Sequence, residues 1–208
     1  SAASDVYKRQ IICEYNPFHN GHARQLEFCK SKGADLIFCA MSGDFTQRGE
    51  PAVLEKRIRA KHAVQSGADL VAELPLPYAA AGAKDFAEGG VKLLEKMGCT
   101  HICFGSECGN ISLLEKAAEL IDSDSFNNSL KLHIKAGKSY PVSAELAGEE
   151  YGGVLNAPNN ILAVEYLRAL KSVGSTMQPI TLTRNTDYCS ESLDSCLLYT
   201  SDAADEAR

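Results

Sequence analysis

A chain of 208 residues, 45% hydrophobic and 23% charged, falls in the ordinary globular range and is long enough for one full α/β domain. Its formal net charge of −6 argues against a strongly basic nucleic-acid coat protein, while leaving room for a local basic patch. No apolar run approaches the length of a membrane span, and the N-terminus lacks the apolar stretch of a signal peptide, so a cytoplasmic enzyme or binding domain is the expectation.

The first ten residues, SAASDVYKRQ, carry no helical or strand period that joins the rest of the chain, and neither does CLLYTSDAADEAR at 196–208. Both read as translated adapter or vector sequence, which leaves 11–188 as the expected domain. A strand is predicted near 11–14, and the turn EYNPFHNGH leads from it into a helix over 21–31 with Ala23, Leu26 and Cys29 on one stripe. Three further apolar runs recur at a regular interval, near 35–41, 69–73 and 100–104, each preceded by a helical segment ending at a glycine: Gly33, Gly67 and Gly98. Runs apolar on nearly every residue are buried on both faces, as in a parallel sheet covered by helices. Glycine is the usual residue just past a helix end because it tolerates the left-handed conformation.

The intervening helices are predicted over 53–65, with Val53, Ile58 and Val64 facing inward, and over 84–97, with Phe86, Val91, Leu94 and Met97. Residues 111–136 read as one helical region. PNNILAVEYLRALKSVG (158–174) reads as a well-buried helix on Ile161, Leu162, Val164, Leu167 and Leu170, with Pro158 near its start and Gly174 past its end. QPITLTR (178–184) can supply a fifth strand. The right-handed crossover rule then gives an α/β fold, a Rossmann-like doubly wound parallel sheet.

Of the eight cysteines, Cys13, Cys39 and Cys103 sit inside apolar runs and read as small buried hydrophobes. Cys99, Cys103 and Cys108 lack the paired C-x-x-C spacing of a zinc site, so no metal site is expected, nor a disulfide framework. The clustered charges Lys56, Arg57, Arg59 and Lys61, with Arg48 upstream, read by charge alone as a solvated helix face.

Ligands of an open parallel sheet bind beyond the carboxyl ends of its strands. EYNPFHNGH occupies that place and opens a helix, whose free N–H groups and positive dipole end suit a phosphate. Gly21 lets backbone approach a ligand, and His19 and His22 add donors. Zinc would need further ligands beyond Glu14 and distant cysteines. Plain turn residues would be the default for one histidine, and that reading weakens when Asn, Pro, Gly and two histidines fall together.

EYNPFHNGH resembles the H-x-G-H signature of the nucleotidyltransferase superfamily, which shares its fold with class I aminoacyl-tRNA synthetases. Together with MSGDFTQRGEPA (41–52), GADLVAELP (67–75), CFGSE (103–107) and PNNILAVEYLRAL (158–170), in that order, it resembles the bacterial tRNA(Met) cytidine acetate ligase family over about 11–188. The resemblance implies activation of acetate with ATP to acetyl-adenylate, then acetyl transfer to N4 of the wobble cytidine of elongator tRNA(Met). It implies His19 and His22 as catalytic holders of the phosphates. ATP contacts are implied along Ile12, Cys13, Glu14, Tyr15, Asn16, Pro17, Phe18, His19, Asn20, Gly21, His22, Ala23, Arg24 and Gln25, then at Gly105, Asn159, Asn160, Arg184 and Asn185. Gly105 would let adenosine approach the backbone or serve a tight turn, and Asn160 would bind or cap its helix. Arg48, Lys56 and Arg57 are the RNA-binding candidates. ATP would carry Mg2+, with Asp44 as a magnesium-binding, amine-orienting or merely turn-forming residue.

The chain departs from the family pattern at three places. Gln10 stands where the family has glycine, so the first strand is expected to be shortened. DYCSESLDS resembles the start of the superfamily's Ser-rich second phosphate-binding loop without the arginine that the resemblance implies, and the family's C-terminal tRNA-binding region is not expected within these 208 residues. Two other readings stay open on these residues: a small-molecule adenylyltransferase of the same superfamily, and an inactive nucleotide-binding fragment.

Overall fold

The computed structural model describes residues 6–148 and 151–184. Five strands form one all-parallel sheet in the order β3-β2-β1-β4-β5: β1 (Lys8–Cys13), β2 (Leu36–Ser42), β3 (Leu70–Leu74), β4 (His101–Ser106) and β5 (Gln178–Thr183). The predicted Rossmann-like doubly wound sheet is therefore the observed fold.

The sheet is covered on both faces, and alternation along the strands divides its side chains between them. Ile11, Cys13, Ile37, Cys39 and Met41 face α1 (Asn20–Ser31) and α2 (Lys56–Gln65), packing on Leu26, Cys29 and Ala63. Ile12, Ala40 and Phe104 face the other layer. That layer holds the four-residue α3 (Leu76–Ala79), then α4 (Ala83–Lys96), α5 (Ile111–Ile121), α6 (Asp124–Lys135), α7 (Tyr140–Ala147), the short α8 (Gly152–Leu155) and α9 (Pro158–Val173). Phe86, Val91, Leu94, Leu114, Val164, Leu167 and Leu170 are buried there. Gly33, Gly67, Gly98 and Gly174 all take positive φ just past their helices, as expected. Cys13, Cys39 and Cys103 are buried. Among the described residues no helix is long and apolar enough to cross a membrane.

Four expectations are corrected. The first strand is not shortened and does not start at residue 11. Lys8, Arg9 and Gln10 pair in register with Leu36, Ile37 and Phe38, so they belong to the sheet, and Gln10 is fully buried. Of the two suspect tails, 1–5 and 196–208 lie outside the described residues. The region 111–136 is two helices, because Ser123 breaks the run: its hydroxyl accepts from the Phe126 amide at 3.2 Å and caps α6.

The third correction is α2. It starts at Lys56 and buries Arg59, His62 and Ala63, while Val53 (73% exposed) and Val64 (50%) face solvent. Arg59 is thus no part of a solvated face. Its Nε donates to Leu54 O at 3.0 Å and Nη1 to Ser42 O at 3.2 Å, and the guanidinium also donates to the carbonyls of Glu14 and Gly43. The fourth is Asn160, which does not cap α9. Ala157 is the N-cap residue, and Asn160 Oδ1 instead accepts from the Cys108 amide at 3.2 Å.

The two halves of the sheet meet unevenly. β1 pairs with β2 along its whole length, but with β4 only through Arg9–His101 and Gln10–Ile102. Beyond that point β1 and β4 diverge toward their carboxyl ends. The freed Cys103 carbonyl accepts from Gln25 Nε2 at 3.2 Å, a side chain of α1 filling the gap.

Candidate active site

The divergence of β1 and β4 opens a crevice where the strand order reverses, the place an open α/β sheet offers a ligand. A cleft of about 300 Å³ sits there, lined by Ile12, Cys13, Glu14, Tyr15, Asn16, Pro17, His19, His22, Gln25, Asn159 and Arg184 of the expected residues. Gln47, Phe86, Leu162 and Tyr166 complete it. Sequence reasoning assigned none of these four to a site. Phe86 and Leu162 read as core residues, while Gln47 lies in the block MSGDFTQRGEPA and Leu162 and Tyr166 lie in PNNILAVEYLRAL, neither block marking which of its residues would line the site.

The histidines are fixed by the helix start. His19 is the N-cap residue of α1, with extended backbone, and its Nδ1 accepts from the Gly21 amide at 3.1 Å. His22, one turn on, accepts the His19 amide on its own Nδ1 at 3.3 Å. This is a reciprocal capping box built from two imidazoles. The rings stack with centroids 3.6 Å apart, and His22 also packs on Tyr15 at 4.8 Å and Phe18 at 5.6 Å. Since both Nδ1 atoms accept, the hydrogen of each neutral ring is on Nε2, leaving one Nε2–H donor on each ring.

Charge on the pair is suppressed. Burial pushes the His22 imidazole well below its ordinary value, and His19 and Arg184 push it the same way. His19 is lowered by burial and then by Arg184. The unfolded histidine, near 6.5, takes up a proton that the folded His22 refuses, so protonation favours unfolding. Stability is therefore fully present above about pH 6.5 and lost as pH falls below it. The melting temperature is expected to drop between about pH 7 and about pH 5, and to drop less in His22→Asn. An equal slope in both proteins would contradict this origin.

The two glycines expected to contact ATP, Gly21 and Gly105, do not line the cleft and instead make room for side chains. A Cβ on Gly21 would lie 2.9 Å from the His19 ring, and one on Gly105 would lie 2.6 Å from Cδ of Arg184. The space over Gly105 is therefore filled by Arg184, whose Nη1 donates to Asn159 Oδ1 at 2.6 Å. Asn159 is held in turn by Glu107, which accepts from the Asn159 amide and side chain at 3.1 and 2.7 Å and from the Asn160 amide at 2.8 Å. Burial pushes the Glu107 carboxyl up, but these bonds outweigh it and leave it below its usual value. Glu107 thus caps α9 from across the crevice. No signal in the sequence marks that role beyond its place in CFGSE.

The loop after β1 is braced by the loop after β2. Glu14 Oε1 accepts from the Gln47 amide at 2.6 Å, and Asn16 Oδ1 from the Val53 amide at 2.7 Å. Tyr15 between them is buried with φ +49, a left-handed conformation that a non-glycine residue holds at a cost of about 1 to 3 kcal/mol.

The remaining expected residues fall elsewhere. Phe18 is buried under the ring cluster, while Asn20, Gly21, Ala23 and Arg24 lie on α1 outside the cleft lining. Asn160 is buried beside Cys108, and Asn185 and the Ser-rich segment lie outside the described residues. Arg48 and Arg57 are exposed, whereas Lys56 pairs with Glu73 at 2.9 Å and Asp44 at 3.3 Å. Asp44 does not line the cleft.

Comparison with known proteins places this geometry. The HIGH nucleotidyl transferase family profile matches residues 9–204. A tRNA(Met) cytidine acetate ligase of Acetivibrio thermocellus is 44% identical over 195 residues, covering 88% of this chain and 47% of that protein. One of Syntrophotalea carbinolica is 44% identical over 184 residues, covering 84% and 44%. A crystal structure of Thermotoga maritima TmcAL bound with alpha-thio ATP superposes with a TM-score of 0.81 at 34% identity, covering 89% of this chain and 48% of that one. The chain spans about half the length of the curated relatives it matches.

Proposed function

The chain belongs to the HIGH nucleotidyl transferase family, and from that premise we propose that it is the ATP-binding part of a tRNA(Met) cytidine acetate ligase. Its cleft would bind ATP and activate acetate to acetyl-adenylate, and the acetyl group would pass to N4 of the wobble cytidine of elongator tRNA(Met). The site of action would be the cytoplasm.

The observation that carries this reading is the stacked pair His19 and His22, each with its Nδ1 committed to a backbone amide, lining one cleft together with Arg184. Acetate is already an anion at neutral pH, so its attack on the α-phosphorus needs no general base. The barrier is set by charge building on the phosphate oxygens as pyrophosphate leaves. Fixed donors in a partly dry site lower such a barrier without reorganising. Neutral Nε2–H groups and one guanidinium suit that task. Magnesium would arrive on the ATP phosphates. Asp44, the one carboxylate considered for it, is paired with Lys56 away from the cleft, and no metal-holding cluster occurs among the described residues.

Pyrophosphate exchange into ATP tests the reading. Exchange is expected to require acetate and to be indifferent to phosphorylated acceptors such as phosphopantetheine. Exchange without acetate dependence would overturn it.

A further inference from the structure

A second cavity of about 330 Å³ opens beside the first, between the loop after β2 and the start of α9. Glu14, Asn16, Gln47, Asn159 and Leu162 line both, so the two are continuous across Glu14. The far wall is Ile161 with Ala83, and the rim carries the exposed Arg48.

The polar groups in this cavity have unused hydrogen-bonding capacity of a definite pattern. Glu14 uses Oε1 on the Gln47 amide, and Asn16 uses Oδ1 on the Val53 amide. Among the described residues Glu14 Oε2, Asn16 Nδ2, the Gln47 side-chain amide and the Arg48 guanidinium have no partner. At the junction with the cleft the set is one strong acceptor, Glu14, with two amide donors beside it; the lining also carries the unpartnered Thr46 hydroxyl, and the exposed outer part carries Arg48 together with a second carboxylate, Glu50. A cytosine base presents the complement: an exocyclic amine that donates, with N3 and O2 accepting. A uracil would turn its O4 toward the Glu14 carboxylate, acceptor against acceptor.

We propose that this cavity is the acceptor subsite, admitting one unstacked cytosine of a single-stranded RNA segment. Glu14 reads its amine, Asn16 and Gln47 read N3 and O2, and Arg48 takes a neighbouring phosphate. The inference rests on the ATP-and-acetate reading and adds where the second substrate enters and what selects it. Because Glu14 belongs to both cavities, it brings the amine to the acyl group. The amine nitrogen bonds to the acyl carbon, the bond from that carbon to the AMP phosphate oxygen breaks with its electron pair leaving on AMP, and one amine proton passes to the Glu14 carboxylate.

The test is binding of a fluorescein-labelled RNA heptamer with a single central cytidine, against the same heptamer with uridine, measured on the whole chain with and without ATP and acetate. The cytidine form is expected to bind at least about tenfold tighter, the discrimination of one good base contact. Ile161→Trp, which fills the cavity from a wall the ATP cleft does not share, is expected to erase the preference while ATP affinity stays within about twofold. Ala83→Phe fills the same cavity from the other side and replaces it should the first variant fold poorly. Arg48→Ala is expected to weaken both heptamers equally and flatten the salt dependence. Equal binding of the two heptamers, no binding of either, or a preference that survives both fillings would overturn the subsite. Cytidine preference without any ATP binding would overturn the ATP reading and leave the base pocket standing.

Discussion

Arg59→Met is expected to destabilise the protein by roughly 3 to 5 kcal/mol, lowering the melting temperature by about 10 °C or more. The side chain is fully buried and its guanidinium satisfies the carbonyls of Glu14, Ser42, Gly43 and Leu54. Methionine fills much of the volume but leaves those oxygens in an apolar setting, at about 1 to 3 kcal/mol for each group left unpaired. Arg59→Lys is expected to recover only part of the loss, because a compact ammonium with three donors cannot span four carbonyls held by the planar fork. Urea unfolding at unchanged m-value measures both. A loss below about 1 kcal/mol in Arg59→Met would mean the carbonyls find other partners. The same contacts tie the loop after β1 to the loop after β2, so ATP affinity should fall in parallel.

His22→Asn is expected to lower the acetate-dependent exchange rate by about 100-fold, the scale of one removed transition-state donor, with little change in melting temperature. Asparagine can place its Oδ1 where Nδ1 of His22 accepts the His19 amide, so it keeps the capping box and loses the Nε2–H. His22→Gln does the reverse: its amide can reach the outer position, and the cap is lost. Stability should fall in His22→Gln, and activity should fall less than in His22→Asn. An alanine at this position would confuse the two effects, since the ring packs on Tyr15, Phe18 and His19 and is no loosely held turn residue. Equal losses of exchange and stability in both variants would point to a purely structural histidine pair.

Much of the fold was legible in advance because it rests on local rules. Continuous apolar runs and the glycines that end the helices pointed to the parallel sheet, and the strand-to-helix turn placed His19 and His22 at its carboxyl edge. What escaped was decided by partners distant in the chain. Arg59 reads as a surface charge until carbonyls 5 to 45 residues away draw it inward, and with it the inward face of α2. Glu107 reads as a turn residue until the amides of Asn159 and Asn160, more than 50 positions on, reach it. Arg184 and Gly105 make sense only as a pair. The strand status of Lys8–Gln10 was hidden because their polar side chains break the apolar pattern, while the register with Leu36–Phe38 depends on backbone alone.

The short β1–β4 ladder has a mechanical consequence. Among the described residues two ladder pairs and the Thr100 amide on the Lys8 carbonyl join the wing of strands β1, β2 and β3 to the wing of strands β4 and β5; past them the Gln25 side chain donates to the Cys103 carbonyl, and the helices of one face pack across both halves. A nucleotide lying between the histidines on one wing and Arg184 with Asn159 on the other would act as a rivet across that seam. Its binding energy would then appear as resistance of the wings to parting, and amide exchange in β4 and β5 would slow on nucleotide addition although the histidines stand on the opposite side of the split.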